Sequence, residues 1–504
     1  MARRERMSGV DTAWLRMDRP SNLMMIVAVL VFDRRPDFRR LKRTVGVRLA
    51  GYRRFSQTPI LDATGGWWED DPSFDLRRHV TRVRLKGARG PGELRQLVAR
   101  LAQRPLDLRH PLWEFTLVEN FNDGAALVAR IHHCIADGIA LVRVMLSLTD
   151  DTPDAPIGRA SRRRGRRADE AHAAGALEHL VQPVAGALRG AVWLSSEALE
   201  RYIALLRDPA QVIDYARAAA QVTEDVAALA TMADDSHTRF KGKPRRSKRV
   251  AWSEPLPLSE VKAVGKALGC SVNDVLLASV AGSLGAYLAA CGDKVAGVEV
   301  RAMVPVNLRR PGSEQQLGNR FGLVPLLLPV GLANPFERVY AVRTRMEALK
   351  GSYVAPISLA LLELIGFLPR SVQLEVLDLL ANKATAVMTN VPGPQQPLYL
   401  AGRRLEEIMF WVPQSGNIGM GVSILSYNGG VQFGLITDAR LVPDPERIID
   451  RFRPEFDKLL LALLMEPWDA QRDPRDIERD LGLALRAARR RVGEAPIDRM
   501  SLAD

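Results

Sequence analysis

The 504-residue sequence predicts an α/β protein made of two α/β regions. Three observations carry that prediction. Strand-like and helix-like hydrophobic periods alternate up to about residue 150. The composition then breaks into a Pro/Asp, Arg-rich and Ala-rich stretch. A second alternating region runs from about residue 249 to about 465. The chain also exceeds the roughly 250–300 residues at which single hydrophobic cores stop growing. The expected division is 1–150 as the first domain, 151–237 as linker and helical insertion, 238–466 as the second domain, and 467–504 as a charged helical tail.

The elements follow in chain order. The apolar run 23–32 is too short for a membrane span, alternates poorly and is rich in Val, Ile and Met, so it reads as a buried strand. Segments 37–49 and 92–104 place apolar residues at three- and four-residue spacing and read as helices. Segments 115–119 and 125–132 read as strands joined by the turn Asn122-Asp123-Gly124. A helical pattern at 139–148 follows Asp137-Gly138, where the glycine reads as permitting a tight turn. Residues 150–157 carry two prolines and three acidic side chains, 161–167 carry five arginines, and 170–234 is Ala-rich and helical in character. Segment 249–252 reads as the first strand of the second region.

Composition narrows the function classes. With 47% apolar and 26% charged residues the chain is not disordered as a whole. Its three cysteines, Cys134, Cys270 and Cys291, exclude a disulfide scaffold and any CxxC zinc pattern. The net charge of +13 admits nucleic acid, membrane phosphates or a phosphorylated small molecule. Eleven lysines against 60 arginines, with Ala and Leu abundant, fit a GC-rich coding bias as much as a functional surface. No nucleic-acid-binding module is present, so no nucleic acid partner is expected. No stretch approaches the ~20 apolar residues of a membrane helix. The nearest, 356–368, is interrupted by Glu363 and ends at Pro369. The expected location is the cytoplasm.

The chemistry concentrates in one place. Two of the seven histidines are adjacent, in the run HHCIADG from His132 to Gly138. Neighbouring side chains of a strand face opposite ways, so one of His132 and His133 is structural and the other can enter a site. An imidazole with a pKa near 6.5 can take a proton at neutral pH, which suits a single general base. Asp137 could orient that ring or could pair with an arginine to brace the turn. No metal site is expected, because no further His, Cys or Glu cluster completes one. No G-x-S-x-G elbow, P-loop or dinucleotide fingerprint occurs.

HHCIADG resembles the HHxxxDG motif of coenzyme-A-dependent acyltransferases. The surrounding sequence is similar to the bacterial wax ester synthase/acyl-CoA:diacylglycerol acyltransferase family. Pro111-Leu112-Trp113 looks like that family's PLW element, and Asn273-Asp274 like its Asn-Asp motif opening a helix. The segments at 304–309, 317–319, 389–394 and 426–429 follow in the family's order, and the opening with Asp11 and Pro20–Met25 is similar too. The opening departs at Met25, where a histidine is common, and at Asp18, where a glutamate is common. The resemblance covers roughly 8–150 and 238–465; the insertion and the tail match nothing.

The resemblance implies two chloramphenicol-acetyltransferase-like α/β domains with the active site in a channel between them. It implies His133 as general base, His132 in support, Asp137 as a brace salt-bridged to an arginine, and Gly138 leaving room for substrate. Asn273 and Asp274 would position or polarise the site, although Asn273 also reads as a helix cap, a role open to Ser271. Pro111, Leu112 and Trp113 would shape the core or the acyl channel, and Cys134 reads as a small buried residue. The implied reaction is transfer of a long-chain acyl group from acyl-CoA, a co-substrate, to diacylglycerol, with no permanently bound cofactor. A fatty alcohol is the alternative acceptor, and a non-catalytic lipid-binding or membrane-docking protein the alternative of another class. The arginines at 161–167 suit anionic headgroups or a solvated linker. The apolar positions at 177–206 suit an interfacial helix or packing against the domains, so a peripheral membrane or lipid-droplet contact stays open.

Overall fold

The computed structural model describes residues 4–62, 65–158, 225, 228, 231–309, 317–350, 352–367, 370–465 and 479. The arginine cluster at 161–167, the apolar positions expected on helix at 177–206 and the tail after 467, apart from residue 479, lie outside the described residues.

The first sheet is built around β2 (Met25–Phe32), β7 (Gly124–His132), β6 (Trp113–Phe121) and β5 (Val80–Val83). Strand β2 lacks alternation because both its faces are buried: Ile26, Leu30 and Phe32 join one core, and Val27, Val29 and Val31 another. Helix α2 (Phe38–Leu49) begins at Asp37, whose carboxylate accepts from the Arg40 N–H. Helix α4 (Pro91–Ala102) buries Leu94 and Val98 in the second of those cores, and α5 (Gly138–Ser147) follows β7. The turn between β6 and β7 places Asn122 at φ 44°, a conformation asparagine tolerates. A three-stranded sheet of β1 (Arg4–Arg6), β4 (Gly65–Asp70) and β3 (Gln57–Asp62) and the one-turn α3 (Leu76–His79) complete this part, with α1 (Gly9–Arg16) preceding β2.

The second sheet has the order β11 (Phe321–Leu328), β10 (Val300–Asn307), β12 (Ala386–Pro392), β15 (Met420–Tyr427), β16 (Gly430–Asp438) and β8 (Lys248–Trp252), with β9 (Leu256–Pro257) also on β16. Helices α6 (Leu258–Ala267), α7 (Val272–Ala290), α8 (Pro335–Lys350), α9 (Val354–Phe367), α10 (Arg370–Asn382), α11 (Glu446–Ile449) and α12 (Phe452–Met465) accompany it. Among the described residues one helix, Val272–Ala290, is long and apolar enough to cross a membrane, against the expectation that no stretch approaches that and 356–368 comes nearest. Most of it, 78% of the apolar window, is buried as the core helix of this half.

The linear division at residue 238 does not describe the sheets. Strands β13 (Tyr399–Leu400) and β14 (Arg403–Trp411) come from the second region, yet they extend the first sheet, β14 pairing antiparallel with β2 from Leu405↔Phe32 to Trp411↔Val27. Nothing local in 399–411 announces which sheet it joins, so the sequence places it with its neighbours. Tyr427, at the end of β15, secures the crossover: its buried hydroxyl accepts from the Leu398 N–H at 2.8 Å and donates to the Leu405 carbonyl at 2.9 Å. Tyr427→Phe removes both bonds and should cost about 1–3 kcal/mol in urea unfolding; an unchanged midpoint would show that the crossover does not depend on this hydroxyl.

Candidate active site

Strand β7 ends at His132, so the two histidines leave the strand in different environments. The His132 N–H donates to the Leu112 carbonyl at 2.9 Å. Its Nδ1 accepts from the Cys134 N–H at 3.1 Å, which puts the ring proton on Nε2, 3.4 Å from an Asp18 carboxylate oxygen. The other Asp18 oxygen accepts from the Met24 N–H at 2.5 Å. His132 is thus held through its backbone and Nδ1, with Nε2 near the Asp18 carboxylate but not hydrogen-bonded, and it lines neither of the two cavities that Gly138 borders.

His133 is fixed through its backbone and by ring packing. Its N–H donates to the Met24 carbonyl at 2.7 Å, and its carbonyl accepts from Asn319 Nδ2 at 2.8 Å. The imidazole stacks on Trp14 with centroids 4.3 Å apart and lies 5.6 Å from the Phe321 ring. Nδ1 is buried without a hydrogen-bond partner. Burial pushes the pKa of His133 down to about 4; the charge of Asp137 acts the other way and that of His132 adds to the lowering. Burial drives the Cys134 thiol well above its usual range, so it is no ready nucleophile.

Asp137 caps α5, accepting from the Ala140 N–H at 2.9 Å. Its second oxygen forms an ion pair with Arg309 at 2.5 Å and accepts from the Arg320 N–H at 3.0 Å. Arg309 in turn donates to the Gly318 carbonyl at 2.5 Å. The carboxylate therefore braces the turn against the second half of the chain, and all of these bonds turn it away from orienting the imidazole. Gly138 does not occupy a left-handed conformation, so the tight-turn reason for a glycine does not apply. A Cβ there would meet nothing within 4 Å, because it would project into open space.

That space is a pair of cavities. One, about 1450 Å³ with its mouth, is lined by Trp14, His133, Asp137, Gly138, Phe321 and Asn390 among others. The other, about 720 Å³ with its mouth, is walled by Ile26, Leu30 and Ile131 of the first sheet, Leu141 and Met145 of α5, and Leu425 of β15. Gly138 and Phe410 border both. Both walls are predominantly apolar, and residues from each half contribute.

The remaining sequence candidates divide. Asn273 accepts from Asn390 Nδ2 at 2.7 Å and so touches the cavity wall at one remove. Ser271 is the helix cap, and Asp274 is its reciprocal partner, each side chain accepting from the other's N–H. Asp274 therefore serves the start of α7 rather than the cavity. Pro111, Leu112 and Trp113 line neither cavity. Trp113 is core, stacked on His79 and donating from Nε1 to the Phe55 carbonyl, while Leu112 anchors His132. Sequence reasoning missed Trp14 and assigned no role to Arg309 and Asn319, although both lie in motif segments. Among the described residues no group of three His, Cys, Asp or Glu side chains is placed to hold a metal ion.

Comparison with known proteins agrees with this geometry. The wax ester synthase/diacylglycerol acyltransferase catalytic domain matches residues 7–276, and the family's C-terminal domain matches 317–460. The chain is 28% identical over 437 residues to the probable diacylglycerol O-acyltransferase tgs1 of Mycobacterium tuberculosis, covering 85% of this chain and 89% of that protein. Its fold is that of the wax ester synthase/diacylglycerol acyltransferase from Marinobacter aquaeolei VT8, with a TM-score of 0.62 at 21% identity over 91% of this chain and 99% of that one. The first condensation domain of the calcium-dependent antibiotic synthetase shares it at a TM-score of 0.56 and 15% identity, over 91% and 96%. The first match alone covers more than half of the chain and includes the HHCIADG turn, and the chain belongs to the wax ester synthase/diacylglycerol acyltransferase family.

Proposed function

We propose that the protein transfers a long-chain acyl group from acyl-CoA to the hydroxyl of diacylglycerol, with His133 as general base. One observation carries this reading: a buried imidazole at the wall of an apolar cavity that adjoins a second apolar cavity at Gly138. Burial keeps the ring neutral at physiological pH, the form that accepts a proton. With Nδ1 buried, Nε2 is the nitrogen a substrate hydroxyl can approach. The ring takes the hydroxyl proton as the oxygen attacks the thioester carbonyl. The tetrahedral intermediate then collapses, the C–S bond breaks, and the proton passes from His133 to the departing thiolate of coenzyme A. The apolar walls suit the hydrocarbon chains of donor and acceptor and exclude the water that would hydrolyse the thioester. Asp137 contributes by holding the turn, and His132 by anchoring the strand end. Contact with a membrane or lipid-droplet surface fits substrates of this kind.

Removing the base is the first test. His133→Ala should lower thiol release from palmitoyl-CoA by about 10²–10⁴-fold at an unchanged thermal midpoint; full activity in that variant would end the mechanism. Offering dioleoylglycerol and hexadecanol in parallel identifies the acceptor, and preference for the alcohol would replace triacylglycerol by wax ester as the product.

The pH dependence is the second. His133 acts when unprotonated, so kcat/KM should hold as pH falls below the usual histidine range and decline only toward about 4. An acid limb centred at the usual value of 6.5 would mean that the base is a solvated group instead.

A further inference from the structure

The reaction makes no use of α1, yet two of its residues reach the base. Trp14 lies against the imidazole at 4.3 Å with the two planes 29° apart. Asp11, three residues earlier and so on the same helix face, accepts from Asn319 Nδ2 at 2.7 Å, and that same nitrogen donates to the His133 carbonyl. Both α1 residues are buried, and the helix is itself fixed by Ser8, whose hydroxyl accepts from the Asp11 N–H at 3.0 Å.

A general base works only when a further group holds its ring in the productive orientation. In His-carboxylate pairs that group is an acid on the second ring nitrogen. Here Nδ1 has no such partner, and both Asp137 oxygens are engaged by Ala140, Arg309 and Arg320. Orientation must then come from packing, from the backbone and from the Asn319 side chain beside the ring, and α1 reaches all three through Trp14 and Asp11.

We propose that α1 is the positioning element of the base: Trp14 sets the plane of the His133 ring, and Asp11 sets its backbone through Asn319. This rests on His133 being the base. The charged and titratable groups about the ring and its neighbours are Asp137 with Arg309 and Arg320 from the turn and the second half, His132 and Cys134 from its own loop, Asp18 before β2, Arg54 before β3, whose charge acts on Asp11 and Cys134, and Asp11 itself. Trp14 is the large apolar surface among them. Truncating it admits water to the ring, relieves the burial that holds the pKa near 4, and lets it rise toward 6.5.

The experiment compares Trp14→Phe, Trp14→Ala, Asp11→Asn, Asp11→Ala and His133→Ala with the parent. It measures thiol release from palmitoyl-CoA with dioleoylglycerol, the pH profile and the thermal midpoint. Trp14→Ala and Asp11→Ala should lose roughly 10–10²-fold in kcat with little change in KM. Trp14→Phe and Asp11→Asn, which keep a stacking ring and an acceptor oxygen, should recover most of that loss. The acid limb of Trp14→Ala should move to higher pH, a change that a merely structural tryptophan would not produce. If Asp11→Ala fails to fold, the two Trp14 variants decide alone. Parental kcat and acid limb in the alanine variants, with His133→Ala inactive, would overturn the role of α1 while leaving the base in place. Full transfer by His133→Ala would instead remove the base, and the positioning role with it.

Discussion

The ion pair between Asp137 and Arg309 is the constraint on which the site depends. Both side chains are almost wholly buried, at 2% and 5% exposure. A buried pair is tolerable only when the remaining hydrogen-bonding capacity is met, since removing two charges from water costs several kcal/mol per ion. The Ala140 and Arg320 N–H groups serve the carboxylate and the Gly318 carbonyl takes one guanidinium N–H, while Arg309 Nη1 is buried with only the ion pair to Asp137 as compensation. The pair joins the turn after His133 to the connection between β10 and β11. Asn319 and Phe321, which hold the backbone of His133 and border its ring, sit in that connection or just after it. One electrostatic contact therefore fixes the register of the two halves where chemistry requires it.

Burial acts on two titratable groups at this site with opposite sign. His133 is pushed down to about 4 and Asp11 up to about 6. The contribution of neutral His133 to stability is fully present above its unfolded value near 6.5 and is lost as pH falls toward about 4. Asp11 runs the other way: its contribution is fully present below its usual 3.8 and is lost as pH rises through about 6. Between those folded values the two slopes oppose each other, so the stability of the site varies less with pH than either group alone would dictate. A site that keeps the His133 imidazole neutral by desolvation thus carries a neighbouring carboxyl whose response offsets the linkage.

What the sequence made legible follows the range of the interactions involved. Helix α2 could be read because Asp37 caps it locally, and β2 because a strand buried on both faces is continuously apolar. The HHCIADG turn and its motif neighbours were legible as chemistry, since histidine is rare in this chain. The capping box of Ser271 and Asp274 was present in the sequence as well, at the three-residue spacing that separates Asp274's role from that of Asn273. Trp14 was not legible, because α1 meets His133 only after the strand end and the second half have folded around both. The tight-turn reading of Gly138 failed for a related reason: a turn is a local explanation for glycine, whereas here the glycine borders an empty volume bounded by residues far away in the chain.

The crossover strand limits how the site can work. Phe410 of β14 and Gly138 of α5 form the shared border of the two cavities, and β14 lies in the first sheet, paired with β2 along its length. Hinge opening of the two halves would have to break those ladder bonds or tear β14 from the segment that Tyr427 secures at Leu398 and Leu405. Substrates must therefore enter through the cavity mouths while the halves stay joined. The hydrocarbon chains can be drawn into walls that are mostly apolar, but the charged part of coenzyme A cannot follow them without losing its hydration. In the reaction proposed above, the thioester would then reach His133 from a mouth, with the chain inside and the nucleotide outside, in a fixed channel rather than a closing cleft.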